Sequence, residues 1–412
     1  MFPESELSAH WLVRLKQHIR QERYSSAIAR KYPNHVRRFF CDLECRGQAL
    51  ESVTSTDVEH YLDRQKHQRD RRTLSSFMRK EARAAIKMLL RLVHNGTWPL
   101  KSAPEPATAD ELAVQEVVND YNLWMRDVRG LSEGTREHRR LEVHLLLRWL
   151  RDHGKNIATL CLADLDAYIA SRVSGMRRCS KVMMLAKLRS VLRYLHHSGR
   201  IPADLAGAIE APPVYTLEHI PSTIRPEEID RILATTREDQ SPLGRRDWAI
   251  LSLLTTYGLR CGEVIGLRLT DIDWRNERLR IRHTKTGAYS DLPLLRDPAD
   301  ALLDYLKYAR PETALREVFL RARAPYRALT HASLRHVMAR RLQAAGVSLP
   351  GKHGPHVFRH SRAASLLNGG TSIKMIGDIL GHRSSKSTAI YLKLANDDLR
   401  AIALDLPQEV PA

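Results

Sequence analysis

Four short motifs in the last third of the chain bring together side chains able to handle phosphate and protons. YGLRCGEV carries Arg260, with Glu263 three residues later. HTKTG carries Lys285, and HVFRH carries His356, Arg359 and His360. LGHRSSKSTAIYLK places His382 nine residues ahead of Tyr391. A guanidinium stays charged at any working pH and can grip two phosphate oxygens at once. Paired arginines therefore suit a reaction in which negative charge builds up on a phosphodiester. A phenol, with its usual pKa of ~10, attacks well only beside a proton acceptor, and histidine titrates near neutrality. Each residue alone also has a plainer explanation: a solvated arginine, a surface lysine in a hairpin, a His-x-x-Arg pair facing water, a tyrosine packed in a core.

The surrounding sequence predicts how these groups are held. Arg225-Pro226-Glu227-Glu228 reads as a helix start, with proline in the first turn and acids at the positive end of the dipole. Residues 246–257 are apolar on one face and predict a buried helix, stopped by Gly258, with Arg260 just beyond. Three strand candidates follow, Thr270–Trp274, Arg278–Lys285 and Tyr289–Leu294, with turns at Arg275-Asn276 and Thr286-Gly287. Lys285 then sits at a hairpin tip. Helices resume at about 298–309, 331–345, 355–368 and 372–380. His356 and Arg359, at i and i+3, share a helical face.

The order Arg, Lys, His-x-x-Arg, His, Tyr comes with a GLRxGE-type turn, a strand pair and LLNGGTSIKMIGDILGH. In all of this, residues 222–398 resemble the tyrosine recombinase, or phage integrase, family. Val357-Phe358 differ from the apolar pair more usual there, which touches packing and leaves the polar groups intact. The resemblance implies that Arg260 and Arg359 hold the scissile phosphate and that Tyr391 is the nucleophile. It makes His356 the general base, Lys285 the general acid and His382 a donor to a phosphate oxygen, with Glu263 and His360 in support. The product is a 3′-phosphotyrosine and a free 5′-hydroxyl, and ligation is the reverse attack. No cofactor is expected, neither ATP nor metal: no HExxH or carboxylate cluster occurs, and clustered arginines repel a cation. The implied fold is mainly α, with tandem helical SAM-like core-binding modules before an α-rich catalytic domain bearing a small antiparallel β-sheet. The implied partners are double-stranded DNA target sites gripped by a C-shaped clamp, a homo-tetramer on synapsed DNA, and companion recombinases. Integration, excision or transposition of a mobile element is the expected role. Resolution of chromosome or plasmid dimers and type IB topoisomerase-like relaxation are the alternatives.

The rest of the chain agrees with a nucleic-acid partner. Of 412 residues 27% are charged and 43% hydrophobic, the balance of a soluble globular protein, and the net charge is +19. The basic residues are spread along the chain, which favours a folded surface gripping phosphates over a disordered arm. No run of ~18 apolar residues and no signal-peptide core occurs, so a cytoplasmic, nucleoid-associated protein without a membrane partner is expected. The five cysteines show no CxxC and no zinc-ligand spacing and read as free thiols. Proline-rich stretches at 101–110 and 211–222 divide the chain into 1–100, 110–212 and 222–412. The first two segments align without a gap at an offset of 107 residues, Gly47 on Gly154, Asp57 on Asp164 and Tyr61 on Tyr168, as two copies of one helical module would. Segment 110–212 resembles the family's core-binding module, with Arg177, Arg178, Lys181, Lys187 and Arg189 as candidate DNA contacts. Segment 1–100 is expected to be a second DNA-binding module using Arg37, Arg38, Arg79, Lys80 and Arg83.

Overall fold

The structure, a computed structural model, describes residues 6–67, 76–96, 98, 109–213, 221–283, 287–349, 354–382 and 388–394. They form fifteen α-helices and one small antiparallel sheet, the mainly α fold expected. The chain packs as two units, Lys101–Glu218 on the one hand and Met1–Leu100 with His219–Ala412 on the other.

The N-terminal bundle holds α1 (Glu6–Gln21), α2 (Ser26–Arg46), α3 (Ser55–His67) and α4 (Ser76–Val93) around Leu15, Phe39, Tyr61 and Ile86. The next bundle holds α5 (Ala109–Asp127), α6 (Glu133–Asp152), α7 (Leu162–Val173) and α8 (Arg178–His197) around Tyr121, Leu146, Tyr168 and Leu188. The two repeat each other element by element. Gly47 and Gly154 close α2 and α6 near φ 58° and 63°, a left-handed conformation that a side chain disfavours. A one-turn 3-10 segment follows in each, Leu50–Ser52 and Ile157–Thr159. Asp57 then accepts from the Thr54 amide at 2.8 Å, and Asp164 from the Cys161 amide at 3.2 Å, so the same carboxylate opens α3 and α7.

The C-terminal part is built on α10 (Pro242–Tyr257), buried nearly all round and packed against α9 (Pro226–Glu238), α12 (Arg296–Tyr308) and α14 (His356–Asn368). Fully buried Ile250, Leu253 and Leu254 each contribute roughly 1.5–3 kcal/mol of hydrophobic stabilisation. Asp247, also fully buried, takes Arg246 at 2.8 Å and Arg341 at 2.9 Å, which ties α10 to α13 (His331–Ala344). The sheet runs β1 (Ile272–Asp273), β2 (Arg278–Arg282), β3 (Tyr289–Pro293). On β2, Leu279 and Ile281 face the core while Arg278, Arg280 and Arg282 face out. The first strand is shorter than its sequence suggests because Asp271 accepts from the Arg268 amide at 2.8 Å and folds Leu269–Asp271 into a 3-10 turn. The second stops at Arg282, where His283 begins the hairpin turn by accepting from the Gly287 amide at 2.8 Å. The short α11 (Cys261–Ile265) precedes the sheet, and α15 (Ile373–Ile379) follows α14. Among the described residues no helix is long and apolar enough to cross a membrane.

Candidate active site

Gly258 ends α10 at φ 62°, and the turn it makes puts Arg260 at the cap of α11. There the Arg260 amide donates to Glu263 Oε2 at 2.7 Å and its Nη1 to Glu263 Oε1 at 2.7 Å. Nη2 donates to the Gly381 carbonyl at 3.1 Å. Burial alone would push the Glu263 carboxyl up, but hydrogen bonds from His283 and Arg260, and the charge of Arg260, hold it below its ordinary pKa. Glu263 is therefore an anion that fixes the direction of the guanidinium.

Arg359, at the buried side of α14, is held from the opposite direction. Its Nη1 donates to the Gly258 carbonyl at 2.9 Å and its Nη2 to the Leu380 carbonyl. Neighbouring carbonyls, of Leu380 and Gly381, thus hold the two guanidiniums beside each other. Burial, and then the charge of Arg260, lower the Arg359 pKa to about 10, which leaves it cationic near neutrality. Two clustered cations, with the Glu263 carboxylate paired to Arg260, make a site in need of an anion.

Tyr391 lies on a 3-10 turn, Ile390–Leu394, and packs with Ala363, Ile376 and Leu380 from α14 and the end of α15. It is 3% exposed, so the phenol is held in the protein and not free in solvent. His360 Nδ1 is 3.2 Å from its hydroxyl. The His382 ring stacks on it with centroids 6.1 Å apart and planes 15° from parallel, while His382 Nδ1 meets Thr388 Oγ1 at 2.8 Å. Burial raises the phenol pKa; Arg359, by charge and hydrogen bond, and then Arg260 pull against that rise. His360 and His382 are both brought down to about 4, chiefly by burial and next by His356 for the first and Arg359 for the second. Both are neutral at pH 7.

Of the residues singled out by sequence, Arg260, Glu263, Arg359, His360, His382 and Tyr391 converge. His356 stands at the exposed start of α14, its ring 6.4 Å from that of His360. Lys285 lies outside the described residues. Arg177 caps α8 and Arg178 opens it, both exposed, while Lys181, Lys187 and Arg189 along it are half-buried. Arg79 and Arg83 of α4 are already paired with carboxylates of α3, Arg79 with Asp63 at 2.6 Å and Arg83 with Glu59 at 2.5 Å.

His283 is a site residue whose role the motif pattern does not announce. It is buried, its Nδ1 donates to Glu263 Oε1 at 2.8 Å, and its Nε2 meets Ser290 Oγ at 2.8 Å. It stands in the same HTKTG motif as Lys285, two residues earlier, just past the end of β2. That pairing was the available signal.

The sequence profile of the phage integrase family matches residues 222–397, the segment carrying this cluster. Over 404 residues the chain is 31% identical to y4rF, a putative integrase/recombinase of Sinorhizobium fredii, covering 96% of this chain and 90% of that protein. It is 53% identical over 188 residues to y4gC, another putative integrase/recombinase of that organism, covering 46% of this chain and 97% of that one. Among solved structures, XerH site-specific recombinase bound to palindromic difH substrate shares the fold with a TM-score of 0.56 at 15% identity, over 71% of this chain and 87% of that chain. The chain belongs to the phage integrase family. It is a tyrosine recombinase, an enzyme that cleaves and rejoins DNA.

Proposed function

We propose that Tyr391 attacks a phosphodiester whose non-bridging oxygens are gripped by Arg260 and Arg359. The attack displaces the 5′-oxygen and leaves a 3′-phosphotyrosine. The observation that carries this is the convergence of two oriented guanidiniums and two neutral histidines on one buried phenol. The electrostatics support it: fixed donors aimed where charge develops are worth about 10²-fold or more each in rate. Lys285, by its place in the hairpin sequence, is the acid that protonates the leaving 5′-oxygen. His356 and His360 share the base side of the reaction. The link stores the phosphodiester bond energy, so rejoining needs neither nucleotide nor metal.

The site acts on paired DNA targets within a tetramer, with companion recombinases as further partners, on nucleoid DNA in the cytoplasm. The biological role we favour is integration, excision or transposition of a mobile element. Relatives carry the name putative integrase/recombinase, and the bundle ahead of the core-binding segment suits recognition of specialised ends. Segments 1–100, 110–212 and 222–412 act as end-recognition, core-binding and catalytic parts. Arg177, Arg178, Lys181, Lys187 and Arg189 of α8 contact phosphates of the core site. A plasmid carrying two target sites tests this reading: recombinant circles support it. Relaxation of supercoils without exchange, under conditions that permit synapsis, contradicts it.

A further inference from the structure

Helix α14 carries two histidines one turn apart, His356 and His360. His356 is the exposed first residue of α14. His360, one turn further on, is half-buried, with Nδ1 at hydrogen-bonding distance, 3.2 Å, from the Tyr391 hydroxyl. The helix sets this order: side chains at i and i+4 lie one above the other on one face, and the two imidazole centroids are 6.4 Å apart. We propose that His360 is the catalytic group that takes the phenol proton of Tyr391 during attack, with His356 the next base outward along the same helix face. This rests on Tyr391 being the nucleophile.

The step balances. The bond from Tyr391 Oη to phosphorus forms and the bond from phosphorus to the 5′-oxygen breaks. The phenol proton passes to Nδ1 of His360, which must therefore carry its own hydrogen on Nε2. The leaving oxygen takes a proton from the acid of the site, and rejoining runs both transfers backwards. The groups around His360 suit the role. Arg359 and His356 face it from its own helix, Tyr391 from the 3-10 turn and His382 from the corner after α15, with Arg260 beyond Arg359. In this setting the imidazole is neutral and its lone pair is available. A phosphate seated on Arg359 brings negative charge that offsets the guanidinium, so His360 becomes a stronger base as the substrate arrives.

The test uses the full-length protein and a nicked duplex that traps the covalent adduct, followed from pH 5 to 9. His360→Asn and His360→Ala should slow adduct formation about 10²–10⁴-fold at neutral pH and leave DNA affinity within a few-fold. Their rates should climb with pH while that of the wild type levels off, because an ionised phenol needs no acceptor. Replacing Tyr391 by a fluorotyrosine, whose phenol ionises more readily, should recover more of the loss in His360→Asn than it changes in the wild type. A pH-independent loss with no selective recovery would reduce His360 to packing and overturn the proposal. So would a near-normal His360→Asn beside a strongly pH-dependent loss in His356→Asn. Adduct formation by Tyr391→Phe would instead overturn the nucleophile assignment itself, so the two failures are told apart.

Discussion

Arg359 shows what single residues of this site must overcome: it is a buried cation placed beside another. Such a group persists because its donors are taken up by the Gly258 and Leu380 carbonyls and Glu263 supplies a balancing negative charge. Glu263→Gln keeps the shape and removes the anion, leaving Arg260 and Arg359 uncompensated. It should lower unfolding stability by about 3 kcal/mol, read by urea denaturation, and a variant of unchanged midpoint would contradict this account. The histidines predict a pH dependence with a definite sign. His360 and His382 fall to about 4 in the fold, against the ordinary 6.5, so the unfolded chain binds their protons first. Their contribution is complete above pH 6.5 and is lost as pH falls toward and through 4. The melting temperature should drop across that window, and less so in the double variant His360→Gln, His382→Gln. An identical slope in both proteins would count against it. At this scale Arg260, Arg359 and Tyr391, which the fold brings together, were legible in the sequence by residue type and spacing. His283 was not, because its role comes from Glu263, twenty residues away, meeting it in space.

The elements were legible where a backbone rule marks their ends. Pro226 opens α9, Gly258 closes α10 at φ 62°, and the turns flanking β2 fall where glycine and Asn276 stand. The 3-10 turns were not, since side-chain caps such as Asp271 decide between strand and turn locally. Gly381 is a point of close approach between elements. It has φ +63°, its carbonyl holds Arg260, and a Cβ there would fall 2.3 Å from His283 Cε1. Gly381→Ala should therefore act on the site more than on the fold. The expected result is a loss of cleavage of at least about tenfold, with strain of about 1–3 kcal/mol in stability. Wild-type cleavage rates in that variant would show that the corner holding both arginines is not as constrained as its geometry implies.

For the molecule as a whole, the charge of +19 is unevenly usable. The two helical bundles repeat at an offset of 107 residues, and that was readable because Gly47/Gly154 and Asp57/Asp164 do the same backbone work in each. The difference between them was not readable. Arg79 and Arg83 pair across helices with Asp63 and Glu59, while among the described residues Arg177, Lys181, Lys187 and Arg189 have no ion pair. Replacing Lys181, Lys187 and Arg189 by glutamine should weaken binding to a core site at every sequence. It should also make the log–log salt slope shallower by about 0.9 for each phosphate that is no longer neutralised. The same change at Arg79 and Arg83 should alter that slope less. An equal effect of both sets would show that the N-terminal bundle grips phosphates as directly as the second.

The measurement that bears most directly on the account is the identity of the residue joined to DNA. A suicide duplex should trap wild-type protein as a covalent adduct, in EDTA and without nucleotide, and proteolysis with mass analysis should place the nucleotide on the peptide containing Tyr391. Tyr391→Phe, which removes only the attacking oxygen, should bind the same DNA and form no adduct. An adduct in the phenylalanine variant, or a nucleotide mapped to another tyrosine such as Tyr289, Tyr305, Tyr308 or Tyr326, would contradict it.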